Sequence, residues 1–179
     1  MPRKDEPAPT GPAYTEEGAY VRDCLQAAAR LHHVSPAILI ILLNVENGRL
    51  GAVSQNTNDT VDIGPMQVNS IWVRKIASRW RATPEATYRA LRDNLCANLE
   101  AGAWILRLGL DEAHGDLWEG VAFYHSHAPD HKRTYLALVL KQALRLLTES
   151  HAVVIAMPAH PASAAVASAA SQAVTEAAR

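Results

Sequence analysis

The stretch Ala37-Ile38-Leu39-Ile40-Ile41-Leu42-Leu43-Asn44-Val45-Glu46-Asn47-Gly48 decides how this chain is read. Ser35-Pro36 ahead of it is a cap followed by proline at the first helical position, and Gly48 is placed to stop the helix. Leu39, Leu42, Leu43 and Glu46 stand at i, i+3, i+4 and i+7, so a carboxylate in the last turn shares a stripe with leucines. A glutamate at a helix end is, by periodicity alone, more often a solvated structural residue. An apolar border disfavours its charged form, however, and a carboxyl kept protonated near neutral pH is what general acid catalysis needs. The segment that changes the weighing begins sixteen residues on: Asp62-Ile63-Gly64-Pro65-Met66-Gln67-Val68-Asn69-Ser70.

Working outward, the pattern is helical almost throughout. Thr15 can cap a first helix with Glu16 and Glu17 in its opening turn, and Tyr20, Cys24, Ala27, Ala28 and Leu31 recur at helical spacing, which turns Cys24 to the core. Residues 49–62, with Gln55-Asn56-Thr57-Asn58-Asp59-Thr60, predict a polar surface loop with room for a short hairpin. After Met66 the pattern is helical to about Ala77, Thr83-Pro84-Glu85 opens a short helix, and Asp93 or Asn94 opens a longer one through Leu110 with Cys96 in its first turn. Gly115 and Asp116 begin a helix that Pro129 must end, and a last helix spans residues 131–149. Residues 1–14 hold four of the ten prolines and predict a flexible leader, and residues 150–179 predict an Ala-rich, low-complexity, disordered tail. The expected architecture is mainly α, with one domain over residues 15–149.

Composition narrows the class. Charge is balanced at 17 Lys+Arg against 18 Asp+Glu with no basic stripe on a predicted helix, so a nucleic-acid partner is not expected. No apolar run approaches the roughly 18 residues of a membrane span. The N-terminus has charge but no apolar core of a signal peptide, so the chain either stays inside the cell or its export signal lies outside this sequence. Cys24 and Cys96 lack zinc-site spacing, which leaves a disulfide or two buried thiols. His125, His127 and His131 cluster, but Pro129 interrupts the helical face of 127 and 131 and no acidic or cysteine partner has zinc-enzyme spacing, so neither a metal nor a cofactor is expected.

Four ordered segments resemble the family-1 lytic transglycosylases of the goose-type lysozyme-like fold. Val45-Glu46-Asn47-Gly48 is similar to that family's Glu-Ser helix end, and Asp62 to Asn69 to its Gly-Leu-Met-Gln segment. Asn98-Leu99-Glu100-Ala101-Gly102-Ala103 is similar to Asn-Ile-x-x-Gly, and Ala122-Phe123-Tyr124-His125-Ser126 to Ala-Tyr-Asn-Ala-Gly. The likeness spans about Cys24 to Tyr135, and the Tyr-His-Ser variant is similar to the small enzymes that accompany type IV secretion, conjugation and pilus systems. It implies a lysozyme-like helical domain with the polar loop or hairpin beside a cleft. The implied activity is cleavage of peptidoglycan between N-acetylmuramic acid and N-acetylglucosamine with closure of a 1,6-anhydro ring, in the periplasm, beside an envelope-spanning apparatus. It also implies a Cys24–Cys96 disulfide.

The resemblance assigns Glu46 as the sole acid and base. Gln67 and Met66 would form the cleft wall, the amide bonding a sugar and the thioether packing on a ring. Tyr124 would orient Glu46 or the substrate's N-acetyl group, His125 stands where relatives have asparagine, and Ser126 is a further substrate contact. Asp62 and Asn69 are expected to brace the loop, with Tyr135 as structural support. Trp72, Trp80, Trp104 and Trp118 are expected in core or cleft lining. Asn47 in place of serine and Pro65 in place of leucine depart from the pattern, which bears on sugar contacts more than on Glu46. The alternatives are a hydrolase of the same fold and substrate, a non-catalytic glycan-binding assembly factor, and a cytoplasmic helical interaction module.

Overall fold

The computed structural model describes residues 16–156. Its elements run α1 (Glu16–His32), α2 (Pro36–Glu46), β1 (Val53–Gln55), β2 (Val61–Ile63), β3 (Val68–Asn69), a 3-10 turn (Ser70–Trp72), α3 (Val73–Trp80), α4 (Pro84–Asp93), α5 (Leu95–Glu112), α6 (Leu117–His125) and α7 (Pro129–Ala156). The protein is therefore mainly helical with a small antiparallel sheet in the order β1-β2-β3. The chain divides into two compact units, Met1–Leu140 and Lys141–Arg179, with α7 contributing to each. Among the described residues no helix is long and apolar enough to cross a membrane.

In the first unit α5 is the central helix, packed most extensively against α1 and α6. Leu99, Leu106, Leu39, Leu42, Ile63, Met66, Ile76 and Val121 are fully buried around it. At roughly 2 kcal/mol per buried aliphatic side chain, this core is the main stabilising term. Cys24 of α1 is disulfide-bonded to Cys96 in the first turn of α5, with Cα atoms 4.8 Å apart and a sequence separation of 72. A loop of that length gains about 4 kcal/mol in the chain-entropy account. One turn along α5, Glu100 accepts a hydrogen bond from Trp80 Nε1 at 2.7 Å and pairs with His32 Nε2 at 2.6 Å, tying α3 and α1 to the same helix.

The helix starts follow their caps. Thr83 accepts from Ala86 N–H, Asn94 from Ala97 N–H and Asp116 from Glu119 N–H. Ser35 makes no such bond, so α2 begins on the preset backbone of Pro36. The expected stop at Gly48 is corrected to Asn47, which takes the left-handed conformation at φ 49° while its N–H bonds the Leu43 carbonyl. The buried stripe of α1 is Cys24, Leu25, Ala28, Ala29 and His32; Tyr20 and Leu31 are exposed. Only Cys24 and Ala28 of the expected five are buried, because the stripe lies one position round the helix.

Residues 49–62 are more regular than a loop. Val53↔Ile63 and Ser54↔Asp62 pair in the first ladder, Asp62↔Asn69 and Ile63↔Val68 in the second. The helix expected directly after Met66 therefore yields to β3, and the helical run extends to Trp80 rather than Ala77. Asn69 makes the switch, its side chain accepting from Ile71 N–H to open the 3-10 turn. Pro129 does not end α6; Ser126 caps that helix in extended backbone and Pro129 begins α7. α7 continues to Ala156, past the boundary expected at residue 149. In the second unit, Arg145 Nε bonds Glu149 Oε1 at 2.7 Å along this helix. The Thr15 cap, the leader at 1–14 and the tail beyond Ala156 lie outside the described residues.

Candidate active site

A cleft of about 550 Å³ opens at the C-terminal end of α2. One part of its lining is amide and hydroxyl (Gln55, Asn56, Thr57, Asn58, Gln67, Asn69). The remainder is Glu46, Asp62, Val68, Trp72, Ile105, Tyr124, His125, Ser126 and His131. Among the described residues its acids are Glu46 and Asp62, and no described lysine or arginine lines it. That size lies within the range of small-ligand pockets, and the lining suits an uncharged, hydroxyl- and amide-rich ligand.

Glu46, the last residue of α2, is held by Tyr135, whose hydroxyl donates to Glu46 Oε1 at 2.6 Å. The bond leaves Oε2 to carry a proton. Burial pushes the Glu46 carboxyl up to about 7, the Tyr135 hydrogen bond works against that rise, and the negative charge of Asp62 adds to it. Tyr135 is itself buried and stacks against the His125 ring, with centroids 4.6 Å apart and planes 6° from parallel. Burial lowers the His125 pKa, with His131 acting in the same direction and Asp62 opposing. At neutral pH this group of residues presents a proton-donating acid and, once the proton has left, a carboxylate that can take one back.

The wall beside Glu46 is set by Asn98, which is fully buried in α5. Its Oδ1 accepts from Met66 N–H at 2.7 Å, and its Nδ2 donates to the carbonyls of Ile63 at 2.9 Å and Leu91 at 2.8 Å. Gly64 passes over this amide at φ 66°, so close that a Cβ would lie 2.6 Å from Asn98 Nδ2. Gly48 is required for the same reason, since a Cβ there would collide with the Gly64 carbonyl. The turn so fixed puts Gln67 in left-handed backbone at φ 48°, with its Nε2 donating to the Gly64 carbonyl at 2.8 Å and its side chain in the cleft lining. Pro65 is buried, and its carbonyl accepts from Gly48 N–H at 3.2 Å.

The structure brings Glu46, Asp62, Gln67, Asn69, Tyr124, His125 and Ser126 to one cleft. Met66 is not there. It is 0% exposed and rests on Gly102, where a Cβ would come within 2.8 Å of its terminal methyl, so the sugar-packing role expected for it is corrected to core packing. The two tyrosines also differ from expectation. Tyr124 donates to the Met66 carbonyl at 2.8 Å, whereas Tyr135 bonds Glu46. Burial and the charges of Glu46 and Asp62 raise the Tyr124 pKa, so its phenol stays protonated. Ser126 Oγ accepts from Ala128 N–H at 3.1 Å, which shapes the α6–α7 turn. Of the tryptophans, Trp72 lines the cleft and meets Trp104 edge to face at 5.9 Å, while Trp118 is 48% exposed.

Sequence reasoning missed Asn98 as a positioning residue, His131 and the 55–58 segment. The signal for Asn98 was an amide one helical turn from Leu95 and Gly102 on a face otherwise apolar. Among the described residues no group of three or more His, Cys, Asp or Glu is arranged to hold a metal ion. No protein-family model matches the chain, and no curated protein matches it.

Proposed function

We propose that the protein is a peptidoglycan lytic transglycosylase in which Glu46 is acid and then base. The observation that carries this reading is a single glutamate with its carboxyl raised to about 7 by burial, hydrogen-bonded by Tyr135 and facing a cleft of neutral polar side chains. Glu46 donates its proton to the bridging oxygen between N-acetylmuramic acid and N-acetylglucosamine, and the bond to the anomeric carbon breaks with its electron pair passing to that oxygen. The muramyl 6-hydroxyl then attacks the anomeric carbon, and its proton passes to the Glu46 carboxylate. The 1,6-anhydro product forms without water, and Glu46 returns to its protonated state.

Gln67, Asn69 and the amides of residues 55–58 offer donors and acceptors for sugar hydroxyls and N-acetyl groups. The ordered likeness of four segments to family-1 lytic transglycosylases supports the same reading and extends it. It favours glycan strands in the periplasm as substrate and local opening of the wall for a secretion, conjugation or pilus apparatus. The Cys24–Cys96 disulfide is compatible with an oxidising compartment. Digestion of purified sacculi followed by mass spectrometry tests the reaction: 1,6-anhydromuropeptides are the expected products. Reducing-end products would assign a hydrolase, which the presence of Asp62 in the same cleft favours as the second reading.

A further inference from the structure

We infer that His125 is a positioning residue: its ring covers one face of Tyr135 and so holds the phenol hydroxyl on Glu46 for the proton transfers. This role rests on glycan cleavage by Glu46.

The contact is between two flat rings. They lie 6° from parallel with centroids 4.6 Å apart, the separation of an offset stack. The asparagine that the resembling family carries here has no ring to lay on a phenol, so the histidine changes what this position can do. His125 lines the cleft, whereas Tyr135 does not and is 3% exposed, so the imidazole stands between the phenol and the open cleft. Among the described residues its ring nitrogens hydrogen-bond no protein group, and the stack is the contact that orients the ring. Burial and the neighbouring His131 favour its neutral form, which leaves an uncharged plate against the phenol.

The junction that brings the rings together is braced independently of them. His125 is the last residue of α6, and Tyr135 lies in the second turn of α7. Lys132 of α7 pairs with Glu119 of α6 and lies over the Phe123 ring at 5.1 Å, while Phe123 stacks on His127 with centroids 4.3 Å apart. Next to His125 in sequence, Tyr124 is fastened to the Met66 carbonyl at 2.8 Å. Changing His125 therefore leaves α7 docked and removes the plate over Tyr135. The Tyr135 hydroxyl meets Glu46 Oε1 at 2.6 Å and decides which carboxyl oxygen is free to carry the proton. A phenol that swings away leaves the acid without its orienting donor, and a ring against its face restricts that swing.

The test is a double-mutant cycle in the full chain, with kcat and KM measured on purified glycan strands for wild type, His125→Ala, His125→Phe, Tyr135→Phe and the His125→Ala, Tyr135→Phe double variant. His125→Ala should lower kcat by roughly 10-fold, the upper range for an aromatic pair, with KM changed less than about 3-fold. His125→Phe keeps a ring and should stay within about 3-fold of wild type. Because His125 acts through the Tyr135 hydroxyl, adding His125→Ala to Tyr135→Phe should lower kcat less than about 2-fold further. The proton NMR signal of the Tyr135 hydroxyl, slow to exchange in wild type and His125→Phe, should be lost to exchange in His125→Ala. Wild-type kcat in His125→Ala overturns the inference. So does a His125→Phe as impaired as His125→Ala, or losses that multiply in the double variant, since either assigns the imidazole to sugar contact. Should His125→Ala fail to fold, His125→Asn is read by the same criteria. A wild-type protein that cleaves no glycan contradicts the proposed function itself, and the Tyr135 hydroxyl signal then decides alone. Its loss in His125→Ala with retention in His125→Phe supports the positioning role; its retention in His125→Ala, its loss in both variants, or its absence from wild type, rules that role out.

Discussion

Glu46 is raised to about 7 against an ordinary 4.5 because burial penalises its charge, and that shift has consequences for stability as well as reactivity. A carboxyl that binds its proton more tightly when folded favours the native state below the unfolded pKa. That advantage is lost as pH rises from about 4.5 through about 7. Glu46→Gln removes the titration, so relative to wild type it should gain on the order of 2 kcal/mol between pH 5 and pH 8, measured as the change in urea unfolding free energy. Equal differences at both pH values would show that Glu46 is not held protonated. Tyr135→Phe acts on the same titration. The lost hydrogen bond lets Glu46 rise further, so the basic limb of activity should move to higher pH while kcat falls by roughly 10-fold. Glu46 was legible in the sequence because the leucine stripe it ends, which alone reads as structural, is followed by the segment from Asp62 to Asn69. Its hydroxyl partner was not, since Tyr124 and Tyr135 lie on successive helices and which of them reaches α2 depends on the α6–α7 turn at Ser126 and Pro129.

Among the elements, the turn from β2 to β3 carries the cleft wall, and Asn98 in α5 holds it by one accepted and two donated bonds. Asn98→Ala would leave two carbonyls and one N–H buried without that partner, at a cost on the order of 3 kcal/mol in thermal or urea unfolding. A loss under about 1 kcal/mol would mean that the turn is held by its own backbone. The helices were legible where a cap and a period coincide, as at Thr83, Asn94 and Asp116. The sheet was less so. Its strands are two or three residues long, β1 is exposed throughout, and their order comes from pairing between segments rather than from any local preference. The same limit hid Met66. A methionine between a glycine turn and a glutamine reads equally well as cleft or core, and Gly102, thirty-six residues further on, decides for the core.

In the unit through Leu140, α5 is braced to α1 by the disulfide and by the His32–Glu100 pair, while Asn98 on the same helix fixes the Gly64–Gln67 turn. The packing that stabilises the fold therefore also sets the cleft, and this is why four short segments far apart in sequence meet at one site. Their order along the chain suggested a shared site; the depth of the cleft, the grip of Asn69 on Asp62 and the neutral polar rim at 55–58 required the three-dimensional arrangement. The central claim is glycan cleavage by Glu46 without water. It is tested most directly by mass spectrometry of purified sacculi digested with wild-type protein and with Glu46→Gln. Wild type should release mainly 1,6-anhydromuropeptides, and Glu46→Gln, folded normally, should be slower by on the order of 1,000-fold. Release by Glu46→Gln at wild-type rates, or products bearing reducing ends, would contradict the account.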